Sequence, residues 1–358
     1  MLKYVLKRLF YGFWVLLGVI TLVFFLFNVL PGDPTKMLLG QRSDIASVEA
    51  IRKDLGLDKP LYTQYFSYLN DLSPISIHST SEDSYWHFSR EKYTSSKPIF
   101  TTGNKIVILK KPYLRRSYQS QRNVTSILAE AFPQTAILAI VAILFSIFVG
   151  ITIGVLCAIY KDTWFDKISL IVSVFGMALP SFFAAIVMGW IFAFLLHDVT
   201  GLNMIGSMYT VDNFGEGEYL DLKNLILPAI TLGIRPLAVV VELTRSSVLE
   251  VLSQDYVRTA RAKGLPRFKV IFSHVLKNSM NPVVTAISGW FASLMAGAVF
   301  VEYIFDWKGV GIVIVNALEK YDFPVLMGAL LFISVILVFI NIFVDIIYGW
   351  LDPKIRLS

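Results

Sequence analysis

The sequence predicts an all-α polytopic membrane protein with six transmembrane helices, both termini cytoplasmic, and a large extracytoplasmic segment between the first two helices. Three observations carry this expectation. Of 358 residues 55% are hydrophobic and only 16% charged, where an ordinary soluble domain carries about 25% charged. The apolar residues, 27 Phe among them, gather into runs of bilayer-crossing length. The basic residues of the short loops fall on alternate connections, as the positive-inside rule requires. With a mean hydropathy of +0.63, disorder and collagen-like repeats are excluded, and a single cysteine, Cys157, excludes an intramolecular disulfide and reads as a small buried hydrophobe.

The first run, Leu9 to Leu30, follows Lys3, Lys7 and Arg8 and contains no charge. At 1.5 Å per residue it crosses a ~30 Å hydrocarbon core. A secretory signal would have a shorter apolar stretch and a small-residue cleavage site, whereas this run ends in Leu30-Pro-Gly-Asp-Pro34; it reads as a retained first helix. Five further spans are expected over Ala131 to Tyr160, Ile168 to Leu196, Asn224 to Val251, Met280 to Val301 and Phe323 to Leu351. Lys161 and Lys167, then Arg258, Arg261, Lys263, Arg267, Lys269 and Lys277, and finally Lys354 and Arg356 lie on the N-terminal side of the membrane. The opposite short loops are acidic, with Asp198, Asp212, Glu216, Glu218 and Asp221 in one and Asp306, Glu319 and Asp322 in the other. The net charge of +6 and pI of about 9.2 therefore need no nucleic acid as partner.

Three regions result: residues 1–30 as the N-terminal span, 31–130 as the outer segment, and 131–358 as a five-helix core containing a cytoplasmic loop over 252–280. In the outer segment Ile45, Val48, Ile51 and Leu55 fall at helical spacing, Gly56 suits a helix end, and a second short helix fits Leu61 to Leu72. Residues 73–121 are rich in Ser, Thr, Tyr, Lys and Arg, with prolines at 74, 98 and 112. They read as an irregular subdomain or flexible loop with short β-prone pieces such as Lys105 to Lys110.

Motifs for chemistry are missing. The sequence has no phosphate-binding Gly-x-x-x-x-Gly-Lys-Ser/Thr loop, its four histidines lack metal-ligand spacing, and Gly309-Val-Gly311 reads as a turn. No cofactor, no metal and no catalytic residue is expected. The informative stretch is Asp255-Tyr-Val-Arg-Thr-Ala-Arg-Ala-Lys-Gly264-Leu-Pro266, in which helix-compatible residues precede a glycine able to turn left-handed and a proline suited to start another helix. Such an element on the cytoplasmic face could dock in a groove of a soluble partner, Ala260 and Gly264 permitting close approach; equally, it could be a solvated basic loop.

This stretch resembles the coupling-helix motif, often written Glu-Ala-Ala-x-x-x-Gly, of bacterial ABC importer permeases, in the form used by the oligopeptide, dipeptide and nickel group. Leu30 to Pro34, Leu55-Gly-Leu-Asp-Lys-Pro60 with Gln64-Tyr65, Val301-Glu-Tyr-Ile-Phe-Asp-Trp-Lys-Gly-Val-Gly311, Tyr321-Asp-Phe-Pro324 and the Asp345 to Arg356 tail resemble the same family's B-type subunit. The resemblance implies a type I importer permease fold without catalysis of its own. It also implies a C-type permease as heterodimer partner, two ATP-binding subunits below and an extracytoplasmic substrate-binding protein above. On this sequence it places the ATPase-coupling contact at Arg258, Thr259, Ala260, Gly264, Leu265 and Pro266. Arg258 and Thr259 depart from the motif's Glu and Ala, Lys308 stands where proline is frequent, and residues 73–121 replace a more compact segment, so the substrate does not follow from the resemblance.

Two charges stand inside the fourth span. Arg235, next to Pro236, and Glu242 lie two turns apart on nearly the same face. An intramembrane charge faces a bundle interior or a cavity, so the pair either lines the pathway or a gate, or forms structural ion pairs with another helix or subunit. Asn341 and Asp345 suit interhelical hydrogen bonds or a contact with Arg356, and Trp164, Trp190, Trp290, Trp307 and Trp350 suit an interfacial belt. The outer insertion, with Tyr85-Trp-His-Phe88, either meets the binding protein, covers the outer gate, or is simply solvated. A secondary transporter or intramembrane enzyme is the competing class, but neither paired broken helices nor paired catalytic groups are visible.

Overall fold

A computed structural model of the chain describes residues 2–29, 56, 58–81, 84–90, 92–93, 96–211 and 217–351. The Leu30 to Pro34 ending, the amphipathic stretch at 45–55, Asp212, Glu216, Lys354 and Arg356 lie outside them. The chain divides into two compact units. The first comprises Met1–Leu9, Ala131–Ile312 and Ile336–Ser358, the second Phe10–Glu130 and Val313–Val335.

Among the described residues four helices are long and apolar enough to cross a membrane: within α1 (Leu2–Val29), Leu6–Asn28; α3 (Val124–Ile159); α6 (Lys223–Leu252); and within α11 (Phe323–Leu351), Phe323–Asp345. The predicted third span is a broken one. α4 (Trp164–Ala178) stops at Leu179, and the chain resumes as α5 (Ser181–Met188) with a π-wound continuation, Gly189–Leu195, at 113° to it. Pro180 explains the break: it offers no amide hydrogen, and it holds Leu179 extended at φ −71, ψ 128. Counted as one span, the bent pair makes five. The predicted fifth span corresponds to α8 (Lys277–Gly297), whose Asn278, Asn281, Thr285 and Ser288 make it less apolar than the others. Between α2 (Leu61–Leu72) and α3 stands a sheet absent from the all-α expectation.

In the first unit α3 and α6 approach through glycines. A Cβ on Gly154 would stand 2.6 Å from Thr244 Cβ, one on Gly150 2.8 Å from Val240 Cγ1, and one on Gly233 2.8 Å from the Ala142 carbonyl. Small residues let helix backbones come close where lipid supplies no hydrophobic drive between helices. α4 is tied to α6 by a bidentate pair, with Arg245 Nε and Nη2 donating to Asp166 at 2.6 and 2.7 Å. Asp166 is buried and sits in the first turn of α4, where a carboxylate also suits the helix dipole. Arg8 meets Asp345 at 3.1 Å, the contact that sequence reasoning sought for Asp345 elsewhere.

The connection after α8 is built on one carboxylate. Glu302, in the short helix α9 (Val299–Ile304), is fully buried. It accepts from Thr135 Oγ1 at 2.7 Å and from Gly311 N at 2.6 Å, while Val310 N donates to Thr135 Oγ1 at 2.8 Å. A Cβ on Gly309 would overlap the Glu302 carboxylate, and one on Gly311 would come within 2.7 Å of it. The Gly309-Val-Gly311 turn that opens α10 (Val310–Glu319) is therefore glycine for space. Trp307 is buried and donates through Nε1 to the Gln134 carbonyl at 2.9 Å, so it belongs to the core rather than to an interfacial belt.

In the second unit β1 (Ile75–Ser79), β2 (Lys97–Thr102) and β3 (Lys105–Leu109) form an antiparallel sheet of order β1-β3-β2. A two-residue turn at Gly103-Asn104 joins β2 to β3, with Gly103 at φ +55, as tight hairpins favour. Beneath the sheet Asp71, at the end of α2, accepts from Tyr93 Oη at 2.7 Å and Arg115 Nε at 3.1 Å and pairs with Lys92 at 3.1 Å. Burial alone would raise its pKa, but Arg115, Lys92 and the Tyr93 hydroxyl outweigh it and hold the carboxyl below its ordinary value. Another carboxylate, Asp322, takes Ser117 Oγ at 2.5 Å and Tyr118 N at 3.0 Å.

Two predictions follow from these contacts. Glu302→Ala strands the Gly311 amide and the Thr135 hydroxyl in a buried site, each worth about 1–3 kcal/mol, so the apparent Tm of the detergent-solubilised chain falls by several degrees; an unchanged Tm would show the network to be dispensable. His78 is buried against Tyr93 and Phe88, and burial, then Lys110 and Lys92, push its pKa down to about 4. The unfolded chain binds a proton below about 6.5 that the folded one refuses until about 4, so the stability of the sheet falls as pH drops through that window. Hydrogen exchange of the β1 and β3 amides, corrected for intrinsic rates, loses protection between pH 6.5 and 4.5, and His78→Gln flattens the dependence.

Candidate functional site

The loop over 252–280 begins where α6 ends. Gln254 is extended (φ −73, ψ 147), and α7 (Asp255–Ala262) starts with an acidic residue in its first turn, favourable at a helix N-terminus. Thr259 Oγ1 bonds back to the Asp255 carbonyl at 3.0 Å. Gly264 N closes on the Arg261 carbonyl at 2.9 Å with φ +77. A Cβ there would meet nothing within 4 Å, so glycine is required for its conformation and not for space. Pro266 (φ −64, ψ 145) leads into the helical turn Arg267–Lys269, a π-wound stretch Val270–Leu276, and α8.

The burial pattern sorts the six residues expected to meet an ATPase. Arg258, Thr259, Gly264 and Pro266 are exposed on the outer side of this turn. Ala260 is not: with Val257 it packs on Val155 and Ala158 of α3, Val248 of α6, and Val270, Ile271 and Val275, and Leu265 closes the edge of the same cluster. The small side chain of Ala260 lets α7 lie down on its own unit. The outer side is strongly cationic, since no acidic residue occurs between Asp255 and Glu302. It also presents an aromatic pair that sequence reasoning missed: Phe268 and Phe272, 71% and 51% exposed with ring centroids 4.3 Å apart. Their i, i+4 spacing in a basic segment was the available signal.

Arg235 and Glu242 both lie exposed on α6 and make no ion pair with each other; Arg235 instead stands over the Trp290 ring of α8, 5.9 Å from its centroid. Seven residues separate them by about 10 Å along the helix axis. An exposed guanidinium in the middle of an apolar helix must face water or another chain, because lipid would cost it about 2.5–3.5 kcal/mol.

Comparison with known proteins places this architecture. The family model described as "Binding-protein-dependent transport system inner membrane component" matches residues 150–357, and its companion N-terminal component matches residues 1–81. The dipeptide transport system permease protein DppB of Alkalihalophilus pseudofirmus is 31% identical, over 99% of this chain and 100% of that protein. The di/tripeptide transport system permease protein DppB of Pseudomonas aeruginosa is 33% identical, over 99% of both. Among solved structures, the MetNI methionine ABC transporter in an inward-facing native crystal form matches with a TM-score of 0.50 at 15% identity, over 64% of this chain and 97% of that one, a likeness of fold. The chain belongs to the binding-protein-dependent transport system inner membrane components and is a non-catalytic, multi-pass permease subunit of the B type from a bacterial peptide-class ABC importer.

Proposed function

We propose that this subunit forms half of a translocation pathway for short peptides, driven by two ATP-binding subunits and fed by an extracytoplasmic binding protein, with a C-type permease as the other half. Full-length similarity to permeases named for dipeptides and di/tripeptides carries this reading. In it the chain crosses the membrane six times, the bent α4–α5 pair and α8 each counting as one span; both termini and residues 252–280 lie in the cytoplasm, and residues 31–130 lie outside. Residues 1–30, 31–130 and 131–358 then serve as first span, outer segment and permease core.

Arg258, Thr259, Gly264 and Pro266 form the face that enters an ATPase groove, while Ala260 and Leu265 fix that face to α3 and α6. Closure of the ATPases on ATP would move α7 and its supporting helices as one body, the kind of rigid-body step by which importers alternate access. Arg235 and Glu242 line the pathway or its gate, which accounts for charges that the single chain leaves uncovered.

Gly264→Glu forces a side chain into a left-handed turn on the docking face without touching the core. The complex still assembles and reaches the membrane, but peptide uptake falls about tenfold or more, the scale of an interface contact worth over 1.4 kcal/mol; uptake at the wild-type rate would end the coupling assignment. Arg235→Gln, at normal abundance, lowers peptide uptake and changes its ranking among peptides of different charge. An unaltered ranking would make Arg235 a structural residue.

A further inference from the structure

The outer subdomain carries a charge that topology does not explain. Residues 73–122 contain nine basic and three acidic residues, a net +6 that equals the formal net charge of the whole chain. The positive-inside rule accounts for lysine and arginine in short cytoplasmic loops, not for cations outside. The structure gathers five of the nine around two adjoining concavities. The larger, about 440 Å³, is lined by Lys92, Arg115 and Arg116, by Tyr85, Tyr113 and Tyr118, and by Asp71. The smaller, about 160 Å³, shares Lys92 and Tyr113 and adds Lys110 and Lys111 with no acidic wall.

Asp71 does not neutralise this set. It is 2% exposed and already bound by Arg115, Lys92 and the Tyr93 hydroxyl. Arg115 is held through Nε and lies over the Tyr68 ring at 5.2 Å. That leaves Arg116, which is exposed, bonds the Tyr113 hydroxyl and makes no ion pair among the described residues, together with Lys111, whereas Lys92 pairs with Asp71 and Lys110 donates to the Asp71 carbonyl. Burial brings Lys110 down to about 8, Asp71 opposing the shift and Lys92 adding less to it. A cleft of this volume suits a ligand the size of two or three amino acids. A planar guanidinium beside tyrosine hydroxyls matches a carboxylate better than an extended polyanion, and the rings offer faces for small side chains.

We propose that this cleft is an outer binding site for a short peptide with a free C-terminal carboxylate, which Arg116 holds while the Tyr85, Tyr113 and Tyr118 rings form the walls. The proposal rests on the import reading for its ligand class and for the outside position of residues 31–130. It differs from the pathway residues, which lie in the other unit.

The test reads binding, not transport. The full chain in lipid nanodiscs, without ATPases, is titrated calorimetrically with trialanine, with trialanine C-terminal amide and with inorganic phosphate. Arg116→Gln and Arg116→Lys are the variants, since neither disturbs the Asp71 contacts. Trialanine binds; amidation and Arg116→Gln each weaken it about tenfold, the scale of one charge-assisted bond, and Arg116→Lys recovers part of the loss. Equal binding of trialanine and its amide, trialanine affinity unmoved by Arg116→Gln, or phosphate binding where trialanine does not would each overturn the proposal. Such a failure leaves the import reading intact. Conversely, normal trialanine binding to this chain, with no peptide uptake by the assembled importer, would count against import and not against the cleft.

Discussion

The contact made by Glu302 fixes the local course of the core, because a buried carboxyl group imposes geometry where a leucine would only fill volume. An unpaired carboxylate in an apolar interior costs several kcal/mol, so the chain must bring donors to it. It does so from α3, through Thr135, and from the start of α10, through the Gly311 amide. Those donors can reach it only if the backbone at Gly309 and Gly311 lies against the carboxylate, which excludes any side chain at either position. One buried acid thereby requires two glycines and the course of the α9 to α10 turn, and beside it the Trp307 indole donates to the residue next to Thr135.

The same economy of space governs the α3–α6 contact. With glycine at 150, 154 and 233 the two helices lie backbone to backbone, and the Arg245–Asp166 pair adds α4 to them. α7 rests on this assembly through Val257 and Ala260. In the proposed mechanism that arrangement matters more than the motif's exposed residues taken singly. A coupling helix packed on close-packed helices displaces them when it is displaced, whereas one hanging from a loop would absorb the motion.

Five of the expected runs, one of them bent, were legible because hydropathy integrates over twenty residues, and Gly264 was legible because a positive φ has a residue signature. The strands of the outer subdomain were legible only in part. Lys105 to Lys110 showed as β-prone and holds β3, but Pro98 and the blockwise order of 97–102, two apolar residues and then two threonines, mask β-periodicity in β2, and pairing between β1 and β3, some thirty residues apart, leaves no local trace. The break at Pro180 was hidden by unbroken apolarity on both sides of it. The helix, turn and helix at 255–276 were legible but the facing of α7 was not: the sequence does not reveal that Ala260 packs beside Val155 and Val275. Glu302 and Asp71 escaped for a related reason, since a single acid in an apolar context reveals neither its donors nor its burial.

The two basic surfaces of the chain differ in what their charge can do. On the loop over 252–280 the cations are exposed, spread over a convex turn and screened by salt within about 10 Å; in the proposed function that pattern sets orientation and guides a large partner. In the outer subdomain the cations line a concave wall, partly withdrawn from solvent, around a carboxylate whose capacity is already used. Concavity and low local dielectric lengthen the reach of charge and penalise leaving it unpaired. Burial is the first cause that depresses Lys110 and His78 there, and a bound anion would meet the exposed Arg116 on the same wall.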